Sequence, residues 1–314
     1  MQSGYLFDPN IGDIQLSTAV ENVFATGNIW VVDEVKGSDT NPGSATSPFA
    51  TLGAAIAAAT ADNGDTIILR GTVHLTSTLL WNKDGVNLFG QRSPSNNCRS
   101  RISSTGATAF SPLVNVTAQG CSFASVATFH GGFTGATGSQ VCWAEAGGRN
   151  YYQCVQFLGG GDATTAALAG MRSLTVAGNG ENLFQGCTIG LDTITRATNA
   201  NASLEFLSGT ARNVFRNCLF QALVSDASDV HVLIGADGID RHVLFDNCTF
   251  SNAINSGATP MTNAFSVNAS AGGFVIVQGG LCVGAGSTSL AASGAIYTNL
   301  PAGNAAGAIG VAAT

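Results

Sequence analysis

The sequence predicts an all-β protein: a parallel β-helix, or solenoid, whose coils stack into one core, with a short capping α-helix at the N-terminal end. Three observations carry this. One line of text recurs, as NYYQCVQF (150–157), NLFQGCTI (182–189), NVFRNCLF (213–220) and HVLFDNCTF (242–250), with a fainter copy in FVIVQGGLCV (274–283). Within it Phe184, Phe215 and Phe245 are each followed three places later by Cys187, Cys218 and Cys248, and those cysteines lie 31 and 30 residues apart. Finally, 40 glycines with only 10% charged residues argue against a helical protein, and 45% hydrophobic residues argue against disorder. A fixed period built on a one-strand motif marks stacked repeats. A single coil cannot bury its own apolar side, whereas a stack can. Like side chains should therefore pile up inside: Phe on Phe, Cys on Cys, at the roughly 4.8 Å spacing of neighbouring strands.

Taken in order, residues 1–28 are expected to form an extended arm docking on a neighbour, since LFDPNIGDIQLSTAVENVF is too apolar for a plain linker. Residues 29–70 hold an opening strand, IWVVD, then a Gly/Asp/Asn/Pro loop and a helix capped by Thr51. Leu52, Ala55, Ile56 and Ala59 share one face of that helix, and Asn63-Gly64-Asp65 ends it before the strand Thr66–Leu69. Such a helix would cover the open end of a stack, where bare strand edges invite aggregation. Residues 71–283 form the solenoid, regular from 150 onward. Residues 284–314 are almost wholly small and uncharged, which suits either a flexible tail or tight packing at a symmetry axis.

Within each coil a second strand precedes the motif across a polar turn, as in SLTVAGNGEN (173–182) and SLEFLSGTARN (203–213). Asn150, Asn182 and Asn213, with His242 in the fourth place, should form a ladder at that turn, because Asn tolerates the left-handed conformation and can bond the next coil's backbone. Beside it Arg149, Glu181, Arg212 and Arg241 should form a second column of alternating charge. Aligning Tyr152 with Phe184 puts Val155 in the cysteine slot and Cys154 one place early. The eight cysteines show no CxxC spacing and three share a slot beside bulky apolar residues, so reduced core thiols are expected rather than disulfides. His74, His130, His231 and His242 are scattered, so neither zinc nor another metal or cofactor is expected.

The stretch WVVDEVKGSDTNPGSATSPFATLGAAIAAA, followed by GDTIILRGTVHL, resembles the opening segment of the right-handed parallel β-helix proteins, the pectin-lyase-like fold. The copies at Phe184, Phe215 and Phe245 are similar to later coils of that family. The resemblance spans about residues 29–283. It implies the fold strongly and the activity weakly, because the fold hosts lyases, hydrolases, adhesins and virus particle proteins. Structural proteins of tailed-bacteriophage virions share this opening.

A net charge of −7 without a basic patch excludes nucleic acid as a partner, and no apolar run approaches the ~20 residues of a membrane helix. The first residues show neither the basic nor the apolar stretch of a secretory signal. An enzyme of this fold would need converging carboxylates. The candidates are Asp192, Glu205, Asp226, Asp229, Asp237, Asp240 and Asp246, and the best grouping sets outward-facing Glu205 near His231, with Asp237 and Asp240 in the next turn. Exposed polar residues on strands are common without any such role. An adhesin would display aromatics along one face, and Trp30, Trp81 and Trp143 are too dispersed for that. The expectation is a non-enzymatic virion protein, a homotrimer contacting capsid or tail proteins, with a polysaccharide lyase or hydrolase, or a host-glycan adhesin, as alternatives.

Overall fold

The computed structural model describes residues 26–91, 100–105, 109–131, 138–197, 201–253, 259–289 and 296–298. Most of the N-terminal arm, Cys98 and most of the C-terminal tail lie outside the described residues. The chain winds through three parallel sheets of ten, eight and eight strands. Each circuit contributes one strand to each sheet: Leu183–Gln185 to sheet 1, Thr188–Ile189 to sheet 2 and Ala202–Phe206 to sheet 3. Parallel strands joined by such crossovers take the right-handed sense, giving a right-handed parallel β-helix.

Like residues stack in register inside the tube. In sheet 1, Phe123, Tyr152, Phe184, Phe215 and Phe245 pair in order. Their rings follow at 4.9, 4.6, 4.3 and 5.1 Å with planes within 19°. Sheet 2 sends in Phe157, Ile189, Phe220, Phe250 and Cys282. Sheet 3 sends in Trp143, Leu174, Leu204, Val232 and Phe265. All fifteen are buried in one core cluster. Burying each large side chain stabilises the stack by roughly 1.5–3 kcal/mol, and an aromatic contact adds about 0.5–1.5.

Cys187, Cys218 and Cys248 occupy one interior file. The Cys218 thiol lies against those of Cys187 and Cys248, and each thiol donates to a backbone carbonyl of the preceding coil at 3.3–3.4 Å. The described cysteines are all free. Burial raises the Cys142 thiol to about 11 and the Cys282 thiol to about 12, so these side chains behave as small hydrophobes.

The sharp corner from sheet 1 to sheet 2 is made the same way in every regular coil. Ser125, Cys154, Gly186, Asn217, Asn247 and Gly279 all sit there with φ between 52° and 65°. Glycine and asparagine suit that left-handed conformation. This explains why Cys154 stands one place early: it occupies the corner, and Val155 faces inward behind it, fully buried. On the outside of the corner Asn247 Nδ2 donates to Asn217 Oδ1 at 2.9 Å.

The N-terminal end is closed by the helix Leu52–Ala58, whose Leu52, Ala55 and Ile56 are buried. Thr51 Oγ1 accepts from Ala54 N at 3.2 Å. Asp39 locks this cap, accepting from the Ala50 and Thr51 amides and the Thr51 hydroxyl at 2.8–3.0 Å. At the other end Lys83 Nζ donates to Ala57 O at 2.8 Å and also to Ala59 O, which matches a cation to a helix C-terminus. Asp65 ties helix, loop and opening strand together: it accepts from Asn28 N, Trp30 Nε1, Thr60 N and Asn63 Nδ2 at 2.7–3.1 Å. Burial alone would raise its carboxyl, but those four bonds outweigh it and hold the group below the usual range.

Candidate functional site

The polar columns are set by the turn that enters sheet 1. Arg149, Glu181 and Arg212 hold φ of 50–59° there. Glu181 lies between the two guanidinium groups, 2.8 Å from Arg149 Nε and 3.1 Å from Arg212 Nε. The next residues, Asn150, Asn182 and Asn213, are each 1–2% exposed and form the interior ladder. Asn182 Oδ1 accepts from Asn150 N at 2.9 Å, and Asn213 Oδ1 accepts from Asn182 N at 3.2 Å. The fourth place differs from expectation. Asn213 pairs with Val243, so His242 falls in the charged column after Arg212 and Arg241 lies one residue outside it, paired with Asp240 at 3.3 Å. The fourth motif copy carries one more residue before its Phe than the others do, and counting from its first letter shifts both columns.

Glu205 lies on Ala202–Phe206, on the outer side of sheet 3, opposite Leu233 in the next coil. Its carboxylate is taken up by Arg172, with Nε 2.6 Å from Oε2. His231 is fully buried, its ring 6.0 Å from that of Phe250, and burial pushes its imidazole down to about 3. The two do not meet as catalytic partners. Val232 faces the core, and His231 is buried beside Phe250, with Arg196 from the preceding link between sheets 2 and 3 close enough to lower the imidazole further. Arg196 Nε lies 3.9 Å from Asp229 Oδ2, and burial raises the Asp229 carboxyl to about 6 against the pull of Arg196.

Asp237 and Asp240 sit apart from Glu205 and His231. They line an open cleft of about 700 Å³ with Arg241 and residues 268–274 of the following coil. Asp237 takes φ 54°, and its amide donates to Ser270 O at 2.7 Å. Phe274, 42% exposed, stacks on His242 at 5.9 Å on the rim of this edge. Asp226 bonds Ser228 in its own turn, and Asp246 pairs with Arg216 at 2.9 Å. Among the described residues no group of three or more His, Cys, Asp or Glu is placed to hold a metal ion.

Two polar features escape the sequence. Glu145 is 1% exposed in the core-facing column between Val116 and Val176. It accepts from Gly148 N at 2.7 Å, from Asn150 Nδ2 at 3.1 Å and from the Tyr152 hydroxyl. Burial drives its carboxyl up to about 7, with those donors pulling it back. The one tyrosine in the sheet 1 ring column therefore has a purpose: its hydroxyl meets a carboxylate inside the tube. A tyrosine where the other motif copies carry Phe was the available signal. A second ladder runs at the start of sheet 3, where Asn201 Oδ1 accepts from Met171 N at 2.8 Å and Asp229 Oδ1 from Asn201 N at 3.1 Å.

No protein-family model matches the sequence, and no curated protein matches it. Solved structures do share the fold. The pectate lyase Pel9A aligns at 17% identity and a TM-score of 0.56, covering 82% of this chain and 65% of the lyase, so the chain spans less than two thirds of that protein. A pectin methylesterase from Aspergillus niger aligns at 17% identity and a TM-score of 0.50, covering 87% of this chain and 84% of the esterase. At such identities the likeness establishes the pectate-lyase-like parallel β-helix and nothing about chemistry.

Proposed function

We propose that this chain is a non-enzymatic structural protein of a bacteriophage particle, a β-solenoid in capsid decoration or in a tail fibre or spike. In this reading it assembles as a homotrimer and contacts capsid or tail proteins. The observation that carries the reading is where the charges go. Arg149–Glu181–Arg212, Arg172–Glu205 and Arg216–Asp246 each bridge successive coils. These side chains brace the stack and are not free to converge on a substrate. The opening segment, with its likeness to virion proteins of the same fold, supports the same reading. Mass spectrometry and immunogold labelling of purified particles test it: the chain should be present in a fixed copy number at one site. Its absence from particles would overturn the proposal.

One observation favours a second reading, a polysaccharide lyase or hydrolase. Asp237 and Asp240 are both exposed at one cleft, with Arg241 beside them. Glycoside hydrolases work with a carboxyl pair roughly 5–9.5 Å apart. Release of sugar fragments from a host or plant polysaccharide, lost in Asp237→Asn and Asp240→Asn, would establish that reading in place of the first.

A further inference from the structure

The three sheets present outer faces of the same geometry but unlike chemistry. On sheet 2 the outward column reads Gln156, Thr188, Leu219, Thr249, Leu281. On sheet 3 it reads Thr175, Glu205, Leu233, Ser266. On sheet 1 it is unbroken and apolar: Tyr151, Leu183, Val214, Leu244, Ile276. Each of these five is half-buried, and none belongs to the core clusters. Over five coils the stripe runs about 19 Å along the axis at ~4.8 Å per coil.

We infer that the outer face of sheet 1 is the contact surface between copies of this chain, turned toward a shared symmetry axis with the solenoid axes running the same way. The rims identify the occupant. On the upstream side of the stripe stand Arg149, Glu181, Arg212, His242 and Phe274; on the downstream side stand Gln153, Gln185, Arg216, Asp246 and Gln278. In this arrangement the upstream rim of one copy meets the downstream rim of the other. A displacement of one coil between facing rims sets Glu181 against Arg216 and Arg212 against Asp246, while Arg149 meets Gln185 and His242 meets Gln278. No like charges face each other. Without that displacement Arg212 would meet Arg216. The rims lie four residues apart, about 13 Å, so inclining each solenoid by about 20° to the symmetry axis supplies the displacement and keeps a closed assembly. A partner of one charge sign would instead meet both signs on each rim.

The inference rests on the self-assembly named in the virion reading and supplies its surface; absence of the chain from particles would overturn that reading and leave this contact standing. Sedimentation velocity and light scattering across a dilution series test it. The wild-type chain should form an oligomer that weakens with added salt. Val214→Glu and Leu244→Glu should each weaken it roughly tenfold or more, since they bury a charge in the contact, while the circular dichroism spectrum stays at wild type because both side chains face outward. Thr249→Glu on the outer face of sheet 2 should leave assembly unchanged. A wild-type chain that stays monomeric throughout would overturn the proposal, as would an oligomer that Val214→Glu and Leu244→Glu leave intact.

Discussion

The coils carrying Phe184, Phe215 and Phe245 and the coil carrying Tyr152 build the same tube in different ways. In the first, ring lies on ring at 4.3–5.1 Å and nothing polar enters the column. In the second, the sheet 1 slot holds a phenol and the facing sheet 3 slot a carboxylate, and the two bond each other with Asn150 and Gly148 completing the set. The difference teaches that a slot in a solenoid is defined by closure as much as by hydrophobicity. The Glu145 carboxyl is tolerated inside because it gathers three donors from its own coil. Ring stacks are forgiving of their neighbours, whereas the Glu145 group fails as a unit.

The largest expected effect tests the apolar side of the contrast. Phe215→Ala should cost about 3–5 kcal/mol, read as a lowered denaturation midpoint, because the rings above and below are held by their own strands and cannot collapse into the gap. Glu145→Ala should cost nearly as much for a different reason. It strands the Tyr152 hydroxyl and the Gly148 N–H, each worth roughly 1–3 kcal/mol when buried without a partner, while the Asn150 amide keeps its bond to Ala118 O. Tyr152→Phe should cost about 1–3 kcal/mol, and combining it with Glu145→Leu should recover part of that loss. A double variant worse than the sum of the singles would break the closure argument.

The contrast also has a pH signature. The Glu145 carboxyl is raised to about 7 in the folded chain, above its ordinary 4.5, so the folded state holds its proton more tightly than the unfolded state does. Its contribution is fully present below about 4.5 and is lost as pH rises through about 7, by an amount on the order of 3 kcal/mol at most. The buried histidines run the other way: His130, lowered to about 4, favours folding as pH rises through the ordinary imidazole range. The measurement is therefore the difference in denaturation midpoint between wild type and Glu145→Gln from pH 4 to pH 8. That difference should shift in favour of the Gln variant as pH rises; a constant difference would show that Glu145 does not titrate there. The smallest effect belongs to the exposed edge. Glu181→Ala should barely move the midpoint, and less in high salt, since solvent screens that ion ladder.

The stacked slots of Phe184, Cys187 and Asn182 were legible in the sequence because a repeat shows each slot several times. The left-handed corner was half legible: Gly186, Asn217 and Asn247 suit it, while Ser125 and Cys154 disguise it. Glu145 was not legible, because the coils before residue 150 keep no clear period and alternation could not be anchored. Nor was the burial of His231, since its neighbours Phe250 and Arg196 come from other parts of the circuit. The charged edge was readable as a column but misnumbered at its fourth member, where an extra residue in the turn moves His242 out of the Asn ladder.

The corner between sheets 1 and 2 has one further consequence. From Phe184 to Ile189, from Phe215 to Phe220 and from Phe245 to Phe250 the count is always five residues, while the links from sheet 2 to sheet 3 differ in length from coil to coil. The tube thus has one hinge line of fixed gauge and one margin open to growth. A peptide spliced in near Asp192 or Asp226 would bulge from that margin and leave the winding intact. A single residue added beside Asn217 would have to bulge out of the corner or turn the strand Leu219–Ala222 inside out, as far as the next variable link.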